Sequence, residues 1–267
     1  MACGARPERT ASTLFRLHKW YLDCTTGDGE AAIVYVGRVS LGWLAVPYFE
    51  LLWVGPGGRR RWRRLSSRPR VSRDGEALEL AFPALGLRGR WEPEIAALDV
   101  ALLDAPGGSI RWRCRQPGGG SELRLPDGRR LAGRGYAEEL EMSLPPWALP
   151  FQELRWGRFT GSGRSVVWID WRGGLDRRWV FVDGAPVAAH RVEADRVEWP
   201  AGRLEIQPGV VVREAEIGRT LVGPLARLLP RRIGRALEAK WLCPGHLHVA
   251  GSGTDRGSVI HEVLRWT

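Results

Sequence analysis

Apolar and polar residues alternate in short runs along most of this chain, with the two-residue period of β-strands. Residues 31–55, "AAIVYVGRVSLGWLAVPYFELLWVG", predict two or three strands separated by glycine and proline. Further along, "SIRWRC" places Ile110, Trp112 and Cys114 on one strand face and arginines on the other. Asp-Gly pairs predict hairpin turns at 74–75, 127–128 and 183–184. The pattern predicts a mostly β protein.

The stretch "SLPPWALP", residues 143–150, contains three prolines and is the predicted domain junction. A weak internal echo is compatible with two similar halves, because residues 25–39 and 160–174 both run from a Gly-x-Gly turn into an apolar strand. The predicted organisation is a disordered N-terminus over 1–12, one β domain over 13–143 and a second over 144–267.

One segment departs from the strand pattern. Residues 220–242 repeat apolar side chains at helical spacing and carry several arginines. Pro230 is expected to kink or divide the segment. We therefore predict one basic helix in the C-terminal half, which either caps a barrel end or lies on an anionic membrane.

Composition agrees with many short strands, since the 267 residues include 34 glycines, 18 prolines and 14 tryptophans. The net charge of +10 would suit a nucleic-acid partner. However, only Lys19 and Lys240 among the 40 basic residues are lysine, which indicates GC-rich codon usage. No nucleic-acid-binding signature occurs, so nucleic acid is not an expected partner. The run "RRRWRR", residues 59–64, is interpreted as a solvated loop or edge, with polyanion or membrane contact as the alternative.

Location and cofactors are constrained by what the sequence lacks. The four cysteines form no C-x-x-C pair, the N-terminus has no apolar signal core, and no run approaches 18 apolar residues. We expect a cytoplasmic protein, with peripheral contact on the inner membrane face left open. No phosphate loop or dinucleotide fingerprint occurs, and His246 and His248 lack an acidic partner at a convincing spacing, so we expect neither cofactor nor metal.

The stretch "GYAEELEM" carries the leading candidate site. Tyr136, Glu138 and Leu140 share one strand face, so a carboxyl group lies on a face that is otherwise largely apolar. A buried glutamic acid beside a tyrosine can transfer a proton inside an apolar environment. The alternatives are an ion pair between Glu138 and an arginine, or a strand whose faces are reversed.

A second candidate lies in "SVVWIDWRG", where Trp168 and Asp170 share one face. An indole wall can stabilise a cation, and the carboxyl group can supply or accept a proton. The favoured interpretation is structural: Asp170 lies at a strand end and bonds to Arg172 or to a turn.

Several short motifs resemble the carotenoid 1,2-hydratase (hydroxyneurosporene synthase) and AttH-like family. They are "HKWYLD" (18–23), "RWRCRQP" (111–117), "GRGYAEELE" (133–141), "LRWGRF" (154–159) and "VVWIDW" (166–171). The resemblance implies two tandem lipocalin-like antiparallel β-barrels that act on hydrophobic molecules by hydration, cyclisation or isomerisation. It also implies catalytic roles for Tyr136 and Glu138.

The sequence departs from that family at three points. Glu138 replaces an aspartate, and the Asn and Trp that usually follow the aspartate are absent. Trp112 matches the tryptophan of a His-x-Trp pair, but Ile110 stands at the place of the histidine.

We therefore predict a cofactor-independent enzyme with an apolar, aromatic-lined cavity. Glu138, oriented by Tyr136, would protonate an alkene of a long isoprenoid- or carotenoid-like substrate, and Trp112 and Trp156 would flank the carbocation. Trp168 and Asp170 would complete the substrate-binding residues. The alternatives are a non-catalytic carrier of an apolar ligand and a polyanion-binding protein that uses residues 59–64.

Overall fold

The computed structural model describes residues 15–65, 69–216 and 236–266. Within these residues the chain forms two antiparallel ten-stranded sheets, one built from each half of the sequence. The predicted mostly β class is confirmed, and residues 31–55 form two strands joined by a tight turn.

The first sheet contains the strands β1 (Phe15–Thr25), β2 (Ala31–Leu41), β3 (Leu44–Gly55), β4 (Gly58–Arg64), β5 (Arg70–Asp74), β6 (Ala77–Phe82), β7 (Leu87–Pro93), β8 (Leu98–Ala105), β9 (Gly108–Arg124) and β10 (Arg130–Met142). Its order is β4-β3-β2-β1-β10-β9-β7-β6-β5, and β8 also pairs with β9.

The second sheet contains β11 (Glu153–Thr160), β12 (Ser165–Arg172), β13 (Arg177–Val182), β14 (Ala185–Pro186), β15 (Arg191–Val192), β16 (Arg196–Trp199), β17 (Gly202–Ile206), β18 (Val210–Glu216), β19 (Leu237–Val249) and β20 (Thr254–Arg265). Its order is β14-β13-β12-β11-β20-β19-β17-β16-β15, and β18 also pairs with β19. Short 3-10 turns lie at Pro83–Leu85 and Pro146–Ala148.

The two halves repeat one topology, because each strand of the first sheet has a counterpart ten strands later at the same place in the order. The two similar segments, 25–39 and 160–174, lie at equivalent positions in the two halves. The first contains the turn before β2 and part of that strand, and the second contains the turn before β12 and that strand. The predicted Asp-Gly turns join β5 to β6, β9 to β10 and β13 to β14. At the last of these, Asp183 and Gly184 have φ values of 51° and 78°, as a two-residue hairpin turn with a left-handed backbone requires.

Three apolar cores hold the sheets together. The first-sheet core, which includes Leu22 and Trp91, packs on one face of the first sheet, and the second-sheet core, which includes Phe159 and Trp168, packs on one face of the second. The interface core draws residues from both sheets, for example Tyr136 from β10 and Trp156 from β11. Each sheet is therefore buried on both faces where the two meet.

The helix prediction is wrong at its C-terminal end. Leu237 begins strand β19, so the segment from Leu237 to Leu242 is extended and pairs with β18 and β20. The rest of the predicted helix, residues 220–235, lies outside the described residues, as does the predicted disordered segment 1–12. Among the described residues, no helix is long and apolar enough to cross a membrane.

The basic run forms β4, the edge strand of the first sheet, and most of its side chains are exposed. Several of its arginines have acidic partners on neighbouring elements. Arg60 pairs with Asp127 at 2.9 Å, and Arg61 pairs with Glu50.

Candidate functional site

Three side chains donate hydrogen bonds to one oxygen of Glu138. The Tyr136 hydroxyl lies 2.7 Å from Oε2, and the indole nitrogens of Trp112 and Trp156 lie 2.5 and 3.1 Å from the same atom. All four residues are buried, and Glu138 is 4% exposed. Trp156 belongs to the second sheet, so the site forms only where the two sheets meet.

The backbone beside Tyr136 is irregular, and glycines make this possible. The register between β10 and β9 shifts on both sides of Ala137. A Cβ atom on Gly135 would lie 2.4 Å from Cβ of Ser121 and 2.7 Å from the Trp91 ring. The "GRGY" spacing therefore permits a close approach of β9, and the local bulge sets the direction of the next side chains.

Aromatic rings surround the carboxyl group. Tyr136 lies 5.7 Å from Trp156 and 5.9 Å from Tyr21, measured between ring centroids, and Trp112 stacks on Phe181 at 5.8 Å. Burial raises the pKa of the Tyr136 phenol well above its usual value, so this hydroxyl stays protonated and acts as a donor. These aromatic residues pack between the sheets, on the face opposite the first-sheet core.

The site continues as a row of side chains across the first sheet. Register pairs place Glu138 beside Tyr21, Tyr21 beside Tyr35, and Tyr35 beside Glu50. Partners in register share a face, and all of these residues are buried. We call this set, Glu138–Tyr21–Tyr35–Glu50, the first row.

A second row faces it from the other sheet: Trp156–Glu262–Lys240–Arg213, again from register pairs. Lys240 is fully buried, forms an ion pair with Glu262, and lies 5.0 Å from the ring centroids of both Tyr21 and Trp156. Its attraction lowers the pKa of Glu262, against the opposing effect of burial.

The far end of the two rows is an ion-pair cluster. Arg213 pairs with Glu50 from the first sheet and with Glu238 at 3.0 Å from its own sheet. These charges raise the pKa of Arg213 despite its burial. The polar strip between the sheets thus begins at a carboxyl group held by aromatic donors and ends at paired charges.

A second ionic contact crosses the interface beside the site. Arg158, two residues after Trp156 on β11, binds both carboxylate oxygens of Asp23, at 2.6 and 3.0 Å. Both side chains are completely buried. Burial raises the pKa of Asp23, and the Arg158 guanidinium opposes that shift. The pair fixes β11 against β1 and so positions Trp156 over Glu138.

Trp168 and Asp170 are not brought to this site. Trp168 packs in the second-sheet core, on the opposite face of its sheet from Trp156. Asp170 is buried and receives hydrogen bonds from Arg172 at 2.6 Å and from Arg178 at 2.9 Å. This geometry agrees with the structural interpretation of Asp170.

One of the two predicted histidines of β19, His248, is engaged elsewhere. His248 contacts the Thr254 hydroxyl at 3.0 Å, and the nearby His261 of β20 stacks on Trp241. In a different trio, His18 with Glu139 and Glu141, one possible ligand atom of each residue lies within 4.8 Å of the others, which is close enough to hold a metal ion. Salt bridges engage both carboxylates there: Glu139 pairs with His18, and arginines of β9 pair with both acids.

Most polar residues of the interface were not predicted from the sequence, and three of them are instructive: Tyr21, Asp23 and Lys240. Tyr21 and Asp23 lie in "HKWYLD", where a two-residue period puts them on one face, but their contacts with Lys240 and Arg158 come from the other half of the chain. Lys240 was assigned to a helix. Lys240 lies two residues from both Glu238 and Leu242, and in a strand this spacing places the three side chains on one face. The spacing could have indicated that Lys240 belongs to a strand.

An apolar stripe lies on the same sheet face, separated from the first row by the register row Lys19–Gly37–Tyr48. In register order it contains Leu17, Val39 and Val46, then Phe15, Leu41 and Leu44. The leucines at positions 41 and 44 are 48% and 50% exposed at the tip of the β2–β3 hairpin. A hydrophobic molecule therefore has an apolar surface that starts at solvent and ends one register row, that of Lys19, before the first row.

Comparison with known proteins gives structural similarity without sequence similarity. No family model matches the chain, and no curated protein matches it. Among solved structures, CghA aligns with a TM-score of 0.63 at 10% identity, covering 95% of this chain and 89% of that one.

Two further structures align over similar lengths. Kievitone hydratase from Nectria haematococca has a TM-score of 0.55 at 11% identity, covering 95% of this chain and 90% of its own. An AttH candidate from Nitrosomonas europaea has a TM-score of 0.56 at 13% identity, covering 97% of each chain. At such low identity the similarity shows the fold, and it confirms two tandem lipocalin-like domains.

Proposed function

We propose that this protein is a hydratase- or cyclase-like enzyme of the double-lipocalin type, in which Glu138 transfers a proton to or from a hydrophobic small molecule. One observation carries the proposal: three donors from two sheets converge on a single carboxyl oxygen in an aromatic core. Structural neighbours that include a hydratase support the reaction class.

In this proposal each oxygen of Glu138 has its own task. Three donors hold Oε2 in place, so the acid form carries its proton on Oε1. That proton would form a new C–H bond with an alkene carbon, and the cation left on the neighbouring carbon would face the indoles of Trp112 and Trp156.

Two outcomes complete the proton balance. Water can add to the cation and return its proton to the Glu138 carboxylate, which gives hydration. A second double bond of the substrate can instead capture the cation, and loss of a proton to the carboxylate then completes a cyclisation.

The substrate would be a long apolar molecule, for which an isoprenoid or carotenoid skeleton is the proposal from sequence resemblance. The apolar stripe from the β2–β3 hairpin supports a hydrophobic ligand. A cytoplasmic location with peripheral membrane contact is likewise a proposal from the sequence.

The test is mass spectrometry of a lipid extract from the source organism after incubation with wild-type protein or with Glu138→Gln. A product heavier by one water, or an isomer of equal mass, should form with the wild type only. Glu141→Gln is the matched control, because Glu141 lies on the same strand but on the opposite face. Full activity of Glu138→Gln would refute the proposal.

A carrier is the second candidate, and one residue favours it. Ile110 packs in the interface core at the position where the resemblance places a histidine, so the site lacks a second proton-transferring group there. Co-purification of one unchanged apolar compound with both the wild type and Glu138→Gln would support the carrier.

A further inference from the structure

Two buried hydroxyl groups in the first row have no hydrogen-bond partner within 3.5 Å, although one of them, that of Tyr21, lies near enough to the Asp23 carboxyl group to lower its pKa. They belong to Tyr21 and Tyr35, which are 1% and 7% exposed. A buried unpaired hydroxyl costs about 1–3 kcal/mol, and native proteins keep few of them. Two on adjacent strands of one sheet face therefore require an explanation.

The two tyrosines lie close to each other and to the proposed reaction centre. Their ring centroids are 5.4 Å apart in an edge-to-face contact. Tyr21 is the register partner of Glu138, and Tyr35 lies one strand further away. Because strands are about 5 Å apart, the pair covers the region roughly 5–10 Å from Glu138.

Cationic groups lie over the same rings. The Lys240 ammonium group is 5.0 Å from the Tyr21 centroid and 5.6 Å from that of Tyr35, and the Arg213 guanidinium is 5.4 Å from the latter. Burial raises the pKa of both phenols well above the usual value, so both hydroxyls remain able to donate. Lys240 pairs with Glu262, and Arg213 pairs with Glu50 and Glu238, but an ammonium group has three donors, so Lys240 and the two hydroxyls can still donate to an added acceptor.

We propose that Tyr21, Tyr35 and Lys240 bind a carbonyl oxygen of the substrate, and that the reacting carbon lies at Glu138. The inference rests on the proposed function and narrows its substrate class to an apolar molecule that bears a ketone or a similar carbonyl group. An unsubstituted hydrocarbon would leave both hydroxyls unpaired in the complex.

The direct test measures binding, not turnover. Geranylacetone, a neutral terpenoid ketone, and the hydrocarbon with the same carbon skeleton are titrated against the protein while tryptophan fluorescence is followed. The ketone should bind at least about tenfold more tightly, because only it pairs with the hydroxyls. The double variant Tyr21→Phe/Tyr35→Phe should lose that preference.

Two controls separate this inference from the proposed function. Tyr48→Phe, on the same sheet face, should keep the ketone preference. Glu138→Gln should keep it as well while it loses turnover, so failure of catalysis and failure of the carbonyl site give different patterns. Absence of ketone binding, equal affinity for the two probes, or a preference that survives in the double variant would overturn the inference.

Stability provides an independent readout. Since the Tyr35 hydroxyl has no partner, Tyr35→Phe should leave the urea midpoint unchanged or raise it. A clearly lowered midpoint would show that the hydroxyl is structural, which would also overturn the inference.

Discussion

The buried pair between Asp23 and Arg158 makes a quantitative prediction about how the two sheets are joined. The Arg158 guanidinium donates two hydrogen bonds to Asp23, one to the Thr160 hydroxyl at 3.0 Å and one to the Ser258 carbonyl at 2.9 Å. Both charged side chains are inaccessible to solvent. Loss of either partner would therefore leave the other charge buried without compensation.

The expected magnitude follows from that burial. Removing one member of a buried pair costs about 3–5 kcal/mol, whereas removing both together often costs far less. We expect Arg158→Met to lower the free energy of unfolding by about 3–5 kcal/mol. The double variant Asp23→Leu/Arg158→Met should be more stable than Arg158→Met, because no buried charge remains.

The loss of stability in Arg158→Met should also depend on pH, and its direction can be predicted. Without Arg158, only the smaller effects of Tyr21 and Lys240 oppose burial, so the pKa of Asp23 in the folded state rises further above the unfolded value. A raised folded pKa of a carboxyl group favours the folded state at low pH, and this contribution is lost as pH rises through the folded pKa. Arg158→Met should therefore be less stable near pH 8 than near pH 5, relative to the wild type.

Urea denaturation followed by circular dichroism at the two pH values measures these effects. Arg203→Met is the control, because the Arg203–Glu205 pair lies on the surface, with side chains 53% and 41% exposed. Such a pair contributes at most about 1 kcal/mol. If Arg158→Met costs no more than Arg203→Met, the argument from the buried interface ion pair is refuted.

Two further predictions concern the second sheet. Burial lowers the pKa of His261 from 6.5 to about 4, so acidification from pH 6.5 to 4 should remove about 3 kcal/mol of stability. His261→Phe should flatten this part of the stability–pH curve measured by urea denaturation, and an unchanged curve would contradict the assignment. A Cβ on Gly157 would lie 2.1 Å from the buried Trp168 ring, so Gly157→Ala should cost about 1–3 kcal/mol in the same assay. Gly163→Ala, where a Cβ meets open space, should cost much less, and equal costs would show that the ring yields easily.

The local sequence determined the class of the fold and the first two residues of the site, Tyr136 and Glu138. Alternating residues separated by Asp-Gly turns and other glycines form hairpins, and successive hairpins form antiparallel sheets. Tyr136 and Glu138 could be predicted as one unit because a two-residue period places them on the same face whatever the fold. Trp112 was added to them only through the match to the His-x-Trp pair of the resembling family, since alternation alone does not show which strand lies beside Glu138.

Which face points inward was decided only by the tertiary structure. In "SVVWIDW" every residue is buried, since the strand has the interface core on one side and the second-sheet core on the other. When both faces of a strand are buried, the sequence pattern does not show which face points toward the site. This explains why Trp168 and Asp170 were grouped with the site although they lie on the opposite face from Trp156.

The contacts between the two halves were also decided by the tertiary structure. Trp156 reaches Glu138, and Arg158 reaches Asp23, across separations of 18 and 135 residues. Lys240 lies in a segment whose apolar spacing suits a helix, yet pairing with β18 and β20 makes it extended. Strand pairing and burial between the sheets therefore outweighed the local preference of this segment for a helix. The hydrogen-bond and ionic partners are distant in the chain, and they become neighbours only after both sheets have formed.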